Sequence, residues 1–60
     1  MKRTVHPFHL EPGDRLQDGT GREVKYVNGP TFQNVIHVTY VGGDKDVFGV
    51  NAPEMEVERS

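Results

Sequence analysis

His6-Pro7-Phe8-His9 places two imidazoles three residues apart, the nearest thing in this sequence to a pair of metal ligands. A zinc site takes three or four converging donors, usually imidazoles and thiolates. This chain has no cysteine and one further histidine, His37. On an extended strand a spacing of three sends the two rings to opposite faces unless Pro7 bends the backbone. His6 and His9 therefore read as surface histidines, and neither a metal nor another cofactor is expected. Asp14, Asp18, Asp44 and Asp46 lie at or near glycines, where the chemistry of tight turns puts them. A catalytic carboxylate pair or a calcium loop would need closer, ordered oxygen spacing. The only serine is Ser60, and with no cysteine and no Gly-x-Ser-x-Gly there is no nucleophilic triad to assemble. Gly42-Gly43 has no lysine or helix placed after it as a phosphate loop requires. Sixty residues also have difficulty enclosing a catalytic pocket, so the expectation is a protein that is not an enzyme.

What remains is recognition. Tyr26 and Phe32 sit where loops or strand surfaces would display them, with Arg22 and Lys25 close by in sequence. Aromatic side chains anchor interfaces, although either ring could equally cover a core from outside. These four residues, Tyr26, Phe32, Arg22 and Lys25, are the candidate partner-binding set. The expected function is a small protein-interaction module, binding a peptide or protein or forming a homo-oligomer. The alternative is a nucleic-acid binder, with Lys2, Arg3, Arg15, Arg22 and Lys25 on phosphates and the two rings as stacking platforms. A net charge of −2 and the Glu54, Glu56, Glu58 stripe oppose that alternative.

The elements that must position these residues centre on Val35–Val50. Val35-Ile36-His37-Val38-Thr39-Tyr40-Val41 is β-branched or aromatic at nearly every position, which suits a pleated, half-buried surface. Ile36, Val38 and Tyr40 form its apolar stripe. Gly42-Gly43 reverses the chain, and Phe48 and Val50 continue the inward pattern on the second arm. Before this hairpin, Thr4–Leu10 reads as a first strand that Pro7 confines to an edge or bulge. Glu11-Pro12-Gly13-Asp14 has the residues of a type II turn, and Arg15-Leu16 restarts an extended segment before the reversal at Asp18-Gly19. Arg22–Val27 is the next strand. Strict alternation would bury Val24 and Tyr26, whereas a bulge would bury Val24 and Val27 and expose Tyr26; the bulge is preferred, because a short barrel must bend its strands somewhere. Asn51-Ala52-Pro53 can start one helical turn, and Met55 and Val57 alternate with glutamates in the last strand. The expected core is Val5, Leu10, Leu16, Val24, Val27, Ile36, Val38, Tyr40, Phe48, Val50, Met55 and Val57. This core is small enough that a second subunit would help it.

Five short strands with tight turns and one helical turn before the last strand predict an all-β, five-stranded barrel in a single domain, residues 1–60. Leu10-Glu11-Pro12-Gly13-Asp14-Arg15-Leu16, Asp18-Gly19, Val24 and Val27, Val38-Thr39-Tyr40 with Gly42-Gly43, and Pro53-Glu54-Met55-Glu56-Val57-Glu58-Arg59 together resemble a group of short SH3-like barrel proteins encoded by actinobacteria and their phages. The resemblance implies an SH3-like fold and a phage-encoded accessory protein binding a host or phage protein. The Asn28–Asn34 connection is longer than that pattern has. Met1-Lys2-Arg3 precedes no apolar run, so neither a signal peptide nor a membrane span is expected and the expected location is the bacterial cytoplasm.

Overall fold

The β-branched runs and glycine turns resolve, in the computed structural model, into six short strands described over residues 1–59. They are β1 (Lys2–Val5), β2 (Arg15–Leu16), β3 (Val24–Asn28), β4 (Val35–Tyr40), β5 (Lys45–Gly49) and β6 (Met55–Glu58). Two antiparallel three-stranded sheets result, in the orders β1-β6-β2 and β3-β4-β5. Ser60 lies outside the described residues.

The expected five-stranded SH3-like barrel is not formed. The two sheets touch through an Arg15–Glu23 bridge and through Leu16 N–H to Arg22 O (2.8 Å) and Val24 N–H to Asp14 O (2.7 Å). On the other side β1 and β5 do not pair, and each remains a sheet edge. Closure needs strand tilt and register to match all the way round, and β1 is only four residues long because Pro7 ends it. The helical turn is also elsewhere. It is the 3-10 turn Pro7–His9, with Pro7 in its first turn and His6 as its cap, its Nδ1 accepting from Phe8 N–H at 3.1 Å. The segment expected to be helical, Asn51-Ala52-Pro53, is a plain reversal closed by Ala52 N–H to Gly49 O at 3.0 Å.

The turns form as their residues dictate. Asp14 N–H bonds Glu11 O across Pro12-Gly13, with Gly13 at φ 95°, the left-handed geometry that the third position of a type II turn requires. Val24 pairs with Tyr40 and Tyr26 with Thr39, so Lys25 is the extra residue of a bulge. Val24 is consequently buried, Val27 half-buried and Tyr26 exposed, as the bulged alternative has it.

The core is Leu10, Leu16, Val24, Ile36, Val38, Tyr40 and Val57, with Val5, Phe8, Val27, Phe48 and Met55 packed around it. Eleven of the twelve expected members are there. Val50 is the exception, because β5 ends at Gly49 and the reversal turns Val50 out to 57% exposure. Phe8 takes a place at the margin because the 3-10 turn points it inward.

Outside the first sheet, register produces a row of alternating charge. Lys2 pairs with Glu58, Glu58 with Arg15, and Arg15 with Glu23. Opposite charges directly across a ladder favour this register over its neighbours.

Candidate functional site

The four candidate residues do not converge. Arg22 is held at the entrance to β3 by other parts of the fold. Its guanidinium lies 4.3 Å from the centroid of the Tyr40 ring, and it pairs with Asp46 at 3.2 Å and Asp18 at 3.7 Å. Its Nε also donates to Thr20 Oγ1. The Tyr40 hydroxyl in turn donates to Asp46 Oδ2 at 2.9 Å. Burial, then that bond to a carboxylate, pushes the Tyr40 hydroxyl well above the ordinary tyrosine value, so it stays a phenol and a donor. Arg22, Tyr40 and Asp46 form a lid on one end of the core. Arg22 is therefore engaged within the fold rather than standing free beside Tyr26.

Tyr26 and Lys25 lie together at the bulge, both exposed. Register continues the surface from Tyr26 to Thr39 and Lys45, then from Asn28 to His37 and Val47. Tyr26 and Val47 keep 49% and 58% of their surface exposed. This outer face of β3-β4-β5 is thus a sheet surface with an aromatic ring, a valine and an imidazole but few charges.

Phe32 stands beyond the end of that face, fully exposed. The loop carrying it is tied down. Thr31 N–H bonds Val35 O (2.9 Å), Asn34 N–H bonds Thr31 O (3.0 Å), and Gln33 N–H bonds Thr31 Oγ1 (3.2 Å). Asn34 takes the left-handed φ of 58° that asparagine tolerates best among non-glycine residues. Gly29 fixes the approach: a Cβ there would meet Val35 O at 2.9 Å, so no other residue fits without moving the backbone. The Asn28–Asn34 connection thus builds a hydrogen-bonded platform for one phenyl ring.

The other ionisable groups are engaged in structure. His6 uses both ring nitrogens, Nδ1 toward Phe8 N–H and Nε2 toward Val50 O at 3.0 Å, which leaves it no lone pair for a metal. Among the described residues no three histidine, cysteine, aspartate or glutamate side chains gather where they could hold a metal ion. Asp18 accepts from Thr20 Oγ1 and Thr20 N–H, and these bonds hold its carboxyl below the usual range. An open polar cleft of about 300 Å³ is lined by Met1, Gly13, Arg15, Glu23, Glu58 and Arg59. Its charges neutralise one another. Arg15 pairs with Glu23 at 3.3 Å and the terminal amine with Glu58 at 2.6 Å, which keeps the Glu58 carboxyl below its ordinary value. The glutamate stripe that the sequence shows is therefore partly compensated at Glu58.

Asp14, expected to be a turn residue, has a second role that sequence reading missed. It is 1% exposed, and its carboxylate takes Arg59 Nε on Oδ1 (2.8 Å) and Arg59 Nη2 on Oδ2 (2.7 Å), a two-pronged pair. Oδ2 also accepts Glu11 N–H at 2.9 Å. Arg59 reaches further, to Glu11 at 3.5 Å and to His9 O at 3.2 Å. The clamp is structural: it ties the Pro12-Gly13 turn to the last strand, and no side of the carboxylate is left for a ligand.

Among the described residues no helix is long and apolar enough to cross a membrane. No family model matches the chain, and no curated protein or solved structure matches it.

Proposed function

We propose that this chain is a small, non-enzymatic protein-interaction module that binds a peptide or protein partner, with Phe32 as the anchor and the outer face of β3-β4-β5, centred on Tyr26, as the flanking surface. The observation that carries this reading is a fully exposed phenyl ring on a loop held by three hydrogen bonds. An exposed phenylalanine on a floppy loop would lose conformational freedom on binding. One on a fixed loop has already lost most of it, and this favours affinity.

The charge layout favours a protein partner over nucleic acid. Three arginines are committed internally: Arg15 to Glu23, Arg22 to Asp46 and Asp18, and Arg59 to Asp14. Those arginines are not available to neutralise phosphates without breaking the fold's own pairs. Because the closed barrel implied by the resemblance does not form, the reading rests on this surface and leaves open whether the partner comes from a host or a phage.

Peptides selected from a displayed random library against the wild-type protein should lose affinity for Phe32→Ala by about thirtyfold, the ~2 kcal/mol of an aromatic hot spot. Tyr26→Ala should cost less, and the circular dichroism of both variants should match wild type. Selected binders that ignore Phe32→Ala would remove the anchor. Labelled oligonucleotides should not bind at physiological salt. Sub-micromolar affinity there, weakening steeply as salt rises, would replace this reading with the nucleic-acid one.

A further inference from the structure

The two open sheet edges of this fold are not equivalent. In the β4–β5 ladder Tyr40 N–H bonds Asp44 O, so alternation makes Val38–Asp46 and Ile36–Phe48 the hydrogen-bonded pairs. The backbone groups of Lys45, Val47 and Gly49 therefore point away from β4, into solvent. Gly49 O is taken by Ala52 N–H; among the described residues the others meet no strand. Natural edges are blunted by charge, proline, a bulge or a cover. β1 has such protection: it carries Lys2 and Arg3 and runs into Pro7. β5 carries one charge of each sign, Lys45 and Asp46, but has no proline and no bulge, and it exposes Val47.

We infer that β5 is a homodimerisation edge, pairing antiparallel with β5 of a second copy about a two-fold axis at Val47. Val47 is the middle of Lys45–Gly49, so an axis there pairs all five residues of each strand, which an axis at any other residue does not. Centred on Val47, Lys45 meets the second copy's Gly49, Asp46 meets Phe48, and Val47 meets Val47. No two like charges are opposed. Each Val47 N–H reaches the other Val47 O and each Gly49 N–H the other Lys45 O, while each Lys45 N–H shares the other Gly49 O with Ala52 N–H. Centring the axis on Lys45 would oppose two ammonium groups, and centring it on Asp46 would oppose two carboxylates; both are penalised. The same operation on β1 about Arg3 would set two guanidinium groups face to face. The result is one continuous six-stranded sheet formed from β3-β4-β5 of each copy, closed by symmetry so that it stops at two. This contact is separate from the Phe32 loop, and its test does not touch that loop.

Sedimentation equilibrium of the wild type from micromolar to millimolar concentration should show a monomer–dimer equilibrium and nothing larger. Val47→Lys and Val47→Glu should each be monomeric with unchanged circular dichroism, because the side chain is exposed and its N–H is not in the β4 ladder. An equimolar mixture of the two should recover a dimer, since residue 47 faces its own copy. As a second approach, Val47→Cys should form a disulfide-linked dimer on mild oxidation. Val41→Cys, as exposed as Val47 and without a counterpart across the axis, should not. A wild type that stays monomeric throughout, a dimer unaffected by Val47→Lys, a charge-swapped mixture that stays monomeric, or assemblies growing past two would each overturn the proposal.

Discussion

Asp14→Ala should lower the stability of this protein by about 3 kcal/mol, since hydrogen bonds to a charged group contribute ~1.5–3 kcal/mol and several end here. The whole fold has only ~3–9 kcal/mol to lose at 60 residues, so the variant should be partly unfolded at 37 °C. Asp14→Asn should cost less, because the amide oxygen can still accept Glu11 N–H while losing the charge that Arg59 meets. Chemical denaturation monitored by circular dichroism checks the order. Equal midpoints for wild type and Asp14→Ala would show that the clamp contributes nothing. The pH dependence has a definite sign. The Arg59 hydrogen bonds, then the Glu11 N–H, hold the Asp14 carboxyl below its ordinary value of 3.8 against the opposing effect of burial. A group with a depressed folded value stabilises fully above its unfolded value and loses that contribution as pH falls through the folded one. Stability should therefore hold down to about pH 4 and decline below it, and the decline should be shallower in Asp14→Ala.

The local features of this fold were legible in the sequence, and the features made by distant pairs were not. The β4–β5 hairpin, the Pro12-Gly13 turn and the bulge at Lys25 each follow from residues within a few positions of one another. The arginine that fixes Asp14 is 45 residues away, and nothing near Asp14 distinguishes it from Asp18 or Asp44. The contacts of Arg22 are illegible for the same reason, because the ring and carboxylate that hold it come from β4 and β5. Barrel closure was beyond reach because it depends on the lengths of β1 and β5 and the angle between their sheets. The misplaced helical turn has a different origin. Histidine is not among the favoured capping residues, so His6 gives no sequence signal for the turn it caps, whereas Asn51-Ala52-Pro53 has a favoured cap but forms only a reversal before β6. Of the proposed site, Tyr26 and Phe32 were found as exposed aromatics. The rigidity of the Phe32 loop depends on Val35 O and could be seen only in the structure.

Val38→Asp should unfold the protein outright. Val38 is 0% exposed, at the middle of β4, and an unpaired carboxylate there would lose its hydration with nothing in return. Register makes the case worse. Val38 pairs directly with Asp46, whose carboxylate already meets Tyr40 and Arg22, so the new charge would face a like charge across a hydrogen-bonded pair. The arginine that could compensate is already shared between two aspartates. His37→Asp, one residue away, is the control. His37 is exposed on the other face and pairs with Val47, so this variant should stay folded with a Tm close to wild type. The two substitutions add the same charge to adjacent residues of one strand, and only the face differs. A cooperative melt for Val38→Asp at the wild-type Tm would mean that Val35, His37 and Thr39 line the core instead. A flat melt for Val38→Asp beside a cooperative one for His37→Asp would fix the inward face of β4.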